Sequence, residues 1–337
     1  MSKISRMFVL LTAVAALGCG GEDTRGYDGT GDSGADGDSD GDSDGDSDGD
    51  SDSDDVCDEQ DILISQDESR VLLLMDHSSS MTGGNWDIAR DAVYTILSTF
   101  EGSTLQFGLD TLPDPSGASC AVSEPIAVDC GPDTASEISD ALAEMGTFYS
   151  TPLYSALNSY LSESYAPGCV ESGYNHYIIL IADGEDSCTF PTPEQMAALT
   201  TSLVDAGIKV IVVGFNVNMS SEQLNTIAAN GGTTFTTFLN ADDEPTLVAA
   251  LNTIGTSLIS CVFSIDAPDA SANPDLVNFY FDGELIYMDD DCSSGSGWRW
   301  ANDEHTQVEF CPDSCDLIQN GEVDVITATF GCDTVIE

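Results

Sequence analysis

The stretch Val71–Ser80, which reads VLLLMDHSSS, constrains this chain more than any other. Its apolar run has the length and composition of a strand buried on both faces, as in a sheet covered by helices on each side. The run breaks abruptly into Asp76, Ser78 and Ser80. Open α/β sheets place their ligands at this point, outside the carboxyl ends of the strands. Alternate residues of an extended segment point the same way, so these three can aim oxygens at one place. An all-oxygen set without His or Cys suits a hard cation such as magnesium. The plainer alternative is a Ser-rich strand-to-helix turn with Asp76 as a cap.

From Cys57 to Cys261 the pattern alternates between strands and helices. Strands are predicted at Val71–Met75, Thr104–Asp110, His176–Ala182, Ile208–Phe215 and Thr233–Phe238. Helices are predicted at Trp86–Phe100, Thr134–Met145, Pro152–Ser164, Pro193–Asp205, Ser220–Asn230 and Asp243–Ile259. About 200 residues of such alternation imply an α/β domain with a doubly wound, mostly parallel sheet. Two more segments place oxygens at strand ends. Ser150-Thr151-Pro152-Leu153 sets a hydroxyl before a helix, and the strand His176–Ala182 runs into Asp183-Gly184-Glu185.

This order of segments resembles the von Willebrand factor type A (VWA) domain with its metal-ion-dependent adhesion site (MIDAS). That family's pattern is Asp-x-Ser-x-Ser, then a Thr, then an Asp followed by Gly. The matching residues here are Asp76, Ser78, Ser80, Thr151 and Asp183. The resemblance implies Mg2+ or Mn2+ on these five residues and a protein ligand presenting a carboxylate. The family often has Gly before its Thr, whereas Tyr149 and Ser150 stand here, and Thr147 after Gly146 is a rival ligand. Family members are adhesive rather than enzymatic. A metal-dependent hydrolase would need a base beside the ion. Glu185 is near enough in sequence, while His77 points away from Asp76 and Ser78, as a surface or packing residue. A structural envelope or matrix protein with an idle metal site is the other alternative. Some members join the domain ends by a disulfide, which implies Cys57 with Cys261. Cys120 with Cys130, and Cys169 with Cys188, suggest local staples.

The rest of the chain places this domain outside a cytoplasm. Lys3 and Arg6 precede an apolar run, Met7–Leu17, that is too short to span a bilayer as a helix. Ala16-Leu17-Gly18-Cys19 resembles the lipobox of bacterial lipoproteins, which implies a signal peptide over 1–19 and a lipid on Cys19. With Gly20 rather than Asp next, that resemblance implies a bacterial outer-membrane lipoprotein, held at the membrane by its lipid anchor alone. Residues 20–56 repeat Gly, Asp and Ser, with too little apolar surface to offset the entropy of ordering. They read as an extended, disordered spacer; the sharper alternative is a calcium module, and weak Ca2+ condensation is expected either way.

The net charge of −53, with seven Lys and Arg, excludes nucleic acid as a partner. Eleven cysteines leave ten after Cys19, a disulfide framework in an exported chain. Residues 262–337 form a small β-rich domain with strands predicted at Val277–Phe281, Leu285–Met288, Gln307–Phe310 and Val323–Phe330. Cys292, Cys311, Cys315 and Cys332 are expected to brace it. Trp298 and Trp300 flank Arg299, either as a carbohydrate platform or as core.

Overall fold

The computed structural model describes residues 64–115, 120–123, 125–146, 150–217, 221–265, 276–330 and 334–336. The signal segment, Cys19, the spacer, Cys57, Thr147 and Cys332 lie outside the described residues. In chain order the first part runs β1 (Ile64–Gln66), β2 (Ser69–Asp76), α1 (Asn85–Thr99), β3 (Leu105–Leu112), α2 (Ala135–Glu144), α3 (Leu153–Ser159), β4 (Asn175–Ala182), α4 (Pro193–Asp205), β5 (Ile208–Phe215), α5 (Glu222–Asn230), β6 (Leu239–Ala241) and α6 (Glu244–Leu258). Then follow β7 (Val262–Ile265), β8 (Val277–Phe281), β9 (Glu284–Ile286), β10 (Trp298–Trp300), β11 (Gln307–Phe310), α7 (Pro312–Gln319) and β12 (Ile326–Phe330). Among the described residues, no helix is long and apolar enough to cross a membrane.

Five of the strands form one all-parallel sheet in the order β3-β2-β4-β5-β6. Every residue of β2 is buried, as its near-continuous apolar run requires. The period of two sorts its side chains between two cores. Val71, Leu73 and Met75 pack with residues of α1, α2 and α6, whereas Leu72 and Leu74 pack with residues of α3, α4 and α5. This is the doubly wound architecture. Gly255 lets α6 close on the end of α1, because a Cβ there would meet the Phe100 ring at 2.3 Å.

β2 lies between β3 and β4, so the chain leaves it first to one side and later returns on the other. The strand order reverses there, and a crevice opens at the carboxyl ends of β2 and β4. Asp76 ends β2, and Asp183 follows β4.

The structure corrects several boundaries. The strand predicted at Thr233–Phe238 is a loop, and β6 begins one residue later. Phe238 instead packs on Gly214, where a Cβ would meet its ring at 2.6 Å. α3 stops at Ser159 rather than Ser164, and Tyr160 turns inward to donate its hydroxyl to Asp110 at 2.5 Å. α7 was missed although Pro312 marks a first helical turn.

The cysteine pairing also differs. Cys120 bonds Cys188 and Cys130 bonds Cys169, in place of the two local staples. The reason is spatial. β3 and β4 both flank β2, so loops distant in sequence meet, and Gly108 makes room for Cys130, whose Sγ is 2.7 Å from the position a Cβ would take. Cys261 bonds Cys315 on α7, not Cys57, and Cys292 bonds Cys311. Cys261 lies in the three-residue link between α6 and β7, and β7 enters a C-terminal sheet.

Those sheets are antiparallel, in the orders β1-β7-β11-β10 and β12-β8-β9. They share a core of Phe263, Val277, Phe279, Phe281, Trp298, Val308 and Phe310. β1, expected within the first domain, pairs instead with β7, and its register places Ile64 opposite Ile265. Three residues of the N-terminal side therefore complete a C-terminal sheet.

Candidate metal centre

At the top of β2, Asp76 is fully buried. Its Oδ1 accepts the Ser78 backbone N–H at 2.8 Å, which bends the chain into a short helical turn at Ser79–Met81. Met81 is buried beneath that turn and anchors it. Gly83 and Gly84 then take positive φ values of 78° and 103°, a conformation glycine alone adopts freely, and lead into α1.

The hydroxyls form a chain. Ser78 Oγ lies 2.8 Å from Ser80 Oγ, and Ser80 Oγ donates to Asp183 Oδ1 at 2.8 Å. Four of the five expected ligands, Asp76, Ser78, Ser80 and Asp183, are thus brought together. Asp76 Oδ2 is buried with no hydrogen-bond partner among the described residues. Burial and then the Asp183 charge push the Asp76 carboxyl up to about 7. Asp183 is also raised, chiefly by burial.

Thr151 is buried in the loop before α3. Its backbone is laced to Ser187, which follows Asp183. Thr151 N–H donates to Ser187 Oγ at 2.9 Å, and Ser187 N–H donates to the Thr151 carbonyl at 3.0 Å. The Thr151 hydroxyl makes no hydrogen bond to the other four residues.

Such a group fits a divalent cation. Two carboxylates held together, Asp76 buried and Asp183 partly so, repel each other, and Asp76 carries an oxygen that no described residue satisfies. Among the described residues no three His, Cys, Asp or Glu side chains converge, so an ion here depends on hydroxyl donors beside the two carboxylates.

His77, the residue after β2, is fully buried, the packing rather than the surface alternative expected for it. Its Nδ1 lies 2.8 Å from the Gly146 carbonyl, and Nε2 reaches the Pro113 carbonyl. Burial lowers its pKa against the pull of those carbonyls. His77 thereby ties the end of β2 to the loop after β3 and to the loop leading to Thr151.

Glu185 is committed to structure as well. Its Oε1 accepts the Ser221 hydroxyl at 3.0 Å and the Gln223 N–H at 3.4 Å, at the start of α5.

The residue that sequence reasoning missed is Asp186. It is buried, and its Oδ1 accepts the N–H groups of Cys188, Thr189 and Phe190 at 2.9, 2.5 and 3.1 Å. Its Oδ2 accepts the Tyr154 N–H at 2.8 Å in the first turn of α3. One carboxylate therefore shapes the loop carrying Asp183 and joins it to the helix that follows Thr151. The sequence signal was an Asp four residues beyond the strand end, followed by small polar residues.

A family model described as von Willebrand factor type A domain matches residues 71–252. Among solved structures, proximal thread matrix protein 1 from the mussel byssus is similar at 18% identity, with a TM-score of 0.43, over 59% of this chain and 52% of that one. The same mussel protein with a zinc-occupied MIDAS motif is similar at 19% identity, with a TM-score of 0.40, over 57% of this chain and 48% of that one. The SpRpn10 VWA domain is similar at 12% identity, with a TM-score of 0.44, over 55% of this chain and 95% of that one. This chain thus spans about half the length of the mussel protein. No curated protein matches.

Proposed function

Because this chain belongs to the von Willebrand factor type A domain family, we propose that its parallel-sheet domain binds a protein ligand through one divalent cation. Asp76, Ser78, Ser80, Thr151 and Asp183 hold the cation, which is Mg2+ or Mn2+. The observation that carries this reading is the hydroxyl chain from Ser78 through Ser80 to Asp183, beside the unpartnered Oδ2 of buried Asp76. When bound, the cation supplies an electrophilic position that an external carboxylate can fill, since hydroxyl ligands add no formal charge. Asp76 and Asp183 neutralise at most its two charges. The Asp186 carboxylate and the His77 imidazole keep the three loops in place, so that the ligand meets a site formed in advance.

The protein is an adhesion or envelope-interaction module rather than an enzyme. Glu185, the nearest candidate for a general base, is held at the start of α5. In the full chain, Cys19 carries the lipid anchor at a bacterial outer membrane. The domain boundaries are 1–19 for the signal peptide, 20–56 for the spacer, 57–261 for the metal-binding domain and 262–337 for the β domain, with β1 lent to the last.

The test is calorimetric titration of the full chain with magnesium and manganese. One saturable site is expected, and it is lost in Asp76→Ala, which keeps any weak cation binding by the Asp-rich spacer as its own background. Equal heats from the two proteins would overturn the site. A pull-down from the envelope fraction with and without EDTA then tests the ligand class, because a metal-bridged carboxylate is released by the chelator.

A further inference from the structure

The C-terminal sheets carry a cavity of about 370 Å3, lined by residues that the metal site does not use. Trp298 and Trp300 share one face of β10 but divide its work. Trp298 is fully buried in the aromatic core, whereas Trp300 is half-buried and lines the cavity. Its ring is fixed from several sides. His305 stacks on it at 4.8 Å, and Trp298 and Phe279 meet it in edge contacts at 5.4 and 6.4 Å.

The polar lining is mixed in kind. Asp290 and Asp303 supply acceptors and form no hydrogen bond or ion pair among the described residues. Arg299 supplies donors, and its Nε and Nη2 are held by Glu309 at 2.8 and 2.7 Å. An anion would meet two carboxylates here, and a metal cation would meet a guanidinium. A wholly apolar ligand would strand both sets of polar groups. Hydroxyl groups both donate and accept, so neighbouring hydroxyls suit a lining of alternating character. The half-buried Trp300 indole, stacked by His305, adds an aromatic surface for an apolar C–H face. A pyranose ring offers both. The excess of carboxylate over unpaired cation disfavours acidic sugars. The volume lies near the lower end of the roughly 300–1,000 Å3 usual for small-ligand sites.

We propose that this cavity is a binding site for neutral carbohydrate, taking one or two pyranose rings against Trp300 with their hydroxyls on Asp290, Asp303 and Arg299. It acts independently of the metal centre.

The full chain should be applied to an array of neutral hexose and N-acetylhexosamine oligosaccharides, with magnesium and with EDTA. The strongest binder is then titrated by tryptophan fluorescence. Binding is expected to survive EDTA and Asp76→Ala. It should weaken by about tenfold or more in Trp300→Ala, the scale of one lost aromatic contact and its hydrogen bonds. The double variant Asp290→Ala/Asp303→Ala removes two exposed side chains, spares the core and should weaken binding similarly. Retention of no glycan, or equal affinity in the double variant, would overturn the site. Loss of binding in EDTA would transfer it to the metal centre. A fluorescence response to tetramethylammonium but to no saccharide would make the cavity an organic-cation site instead.

Discussion

The Ser80 hydroxyl donates to Asp183 at 2.8 Å, joining loops that are 103 residues apart in the sequence. β2 and β4 are neighbours in the sheet, so the bond spans the crevice between their carboxyl ends. It holds the two loops together, and both side chains belong to the set proposed to hold the cation.

Ser80→Ala therefore separates the two roles. The bond is exposed and neutral on one side, so its loss should cost the cation-free protein about 1 kcal/mol or less. Magnesium affinity should fall by at least the 10–100-fold typical of losing a supporting partner of a metal ligand. Urea unfolding in EDTA and calorimetry with magnesium measure the two effects. A large loss of stability with unchanged affinity would make Ser80 a purely structural residue.

Asp186 is expected to matter more to the fold than any of the five proposed ligands. It accepts four backbone N–H groups while buried. Asp186→Ala would leave those four donors without their buried acceptor, at a cost of about 2–4 kcal/mol. Glu185→Gln, at an exposed position, should cost less than about 1 kcal/mol. Denaturant midpoints of the two variants test the ranking, and a reversed order would contradict it.

The parallel sheet was legible because its signal is local. β2 and β5 read as apolar runs, and Pro193 marked the start of α4. The convergence of Asp76, Ser78, Ser80 and Asp183 was legible because strand ends in such a sheet share one edge. Partners set by three-dimensional proximity were not legible. Cys120 lies ten residues from Cys130 in the chain, yet bonds Cys188 on the loop shaped by Asp186. β1 is three residues long and has meaning only beside β7. His77 read as a surface or a packing residue, and what decides between them is carbonyls from two other loops.

Peptide mapping of the nonreduced protein after pepsin digestion at acid pH, where exchange is slow, should recover Cys120 with Cys188, Cys130 with Cys169, Cys261 with Cys315 and Cys292 with Cys311. Cys120–Cys188 closes a separation of 68 residues, so its removal as Cys120→Ala/Cys188→Ala should destabilise the chain by about 2–4 kcal/mol. Recovery of Cys120 with Cys130 would refute the crossed arrangement.

Asp110 gives the chain a pH dependence that can be isolated. It sits on β3, almost wholly buried, and accepts hydrogen bonds from Tyr160 and Tyr165 hydroxyls at 2.5 and 3.2 Å and from the Thr111 N–H at 2.8 Å. Those donors favour the carboxylate, but burial outweighs them and pushes the carboxyl up to about 6. The unfolded chain releases this proton near the ordinary value of 3.8. Between the two values the folded state holds more proton than the unfolded state, so stability falls as pH rises. The contribution is complete below about pH 4, is lost through about pH 6 and is constant above, with a slope of at most about 1.4 kcal/mol per pH unit. Asp110→Asn keeps an acceptor for the tyrosines and removes the titration. Urea midpoints of both proteins at several pH values between roughly 4 and 7 cancel the many carboxylates they share. The wild type should lose ground to the variant across that window by about 2–3 kcal/mol. A difference that stays flat with pH would mean that Asp110 ionises in the folded protein as it does in the unfolded chain, with the tyrosine hydroxyls fully offsetting its burial.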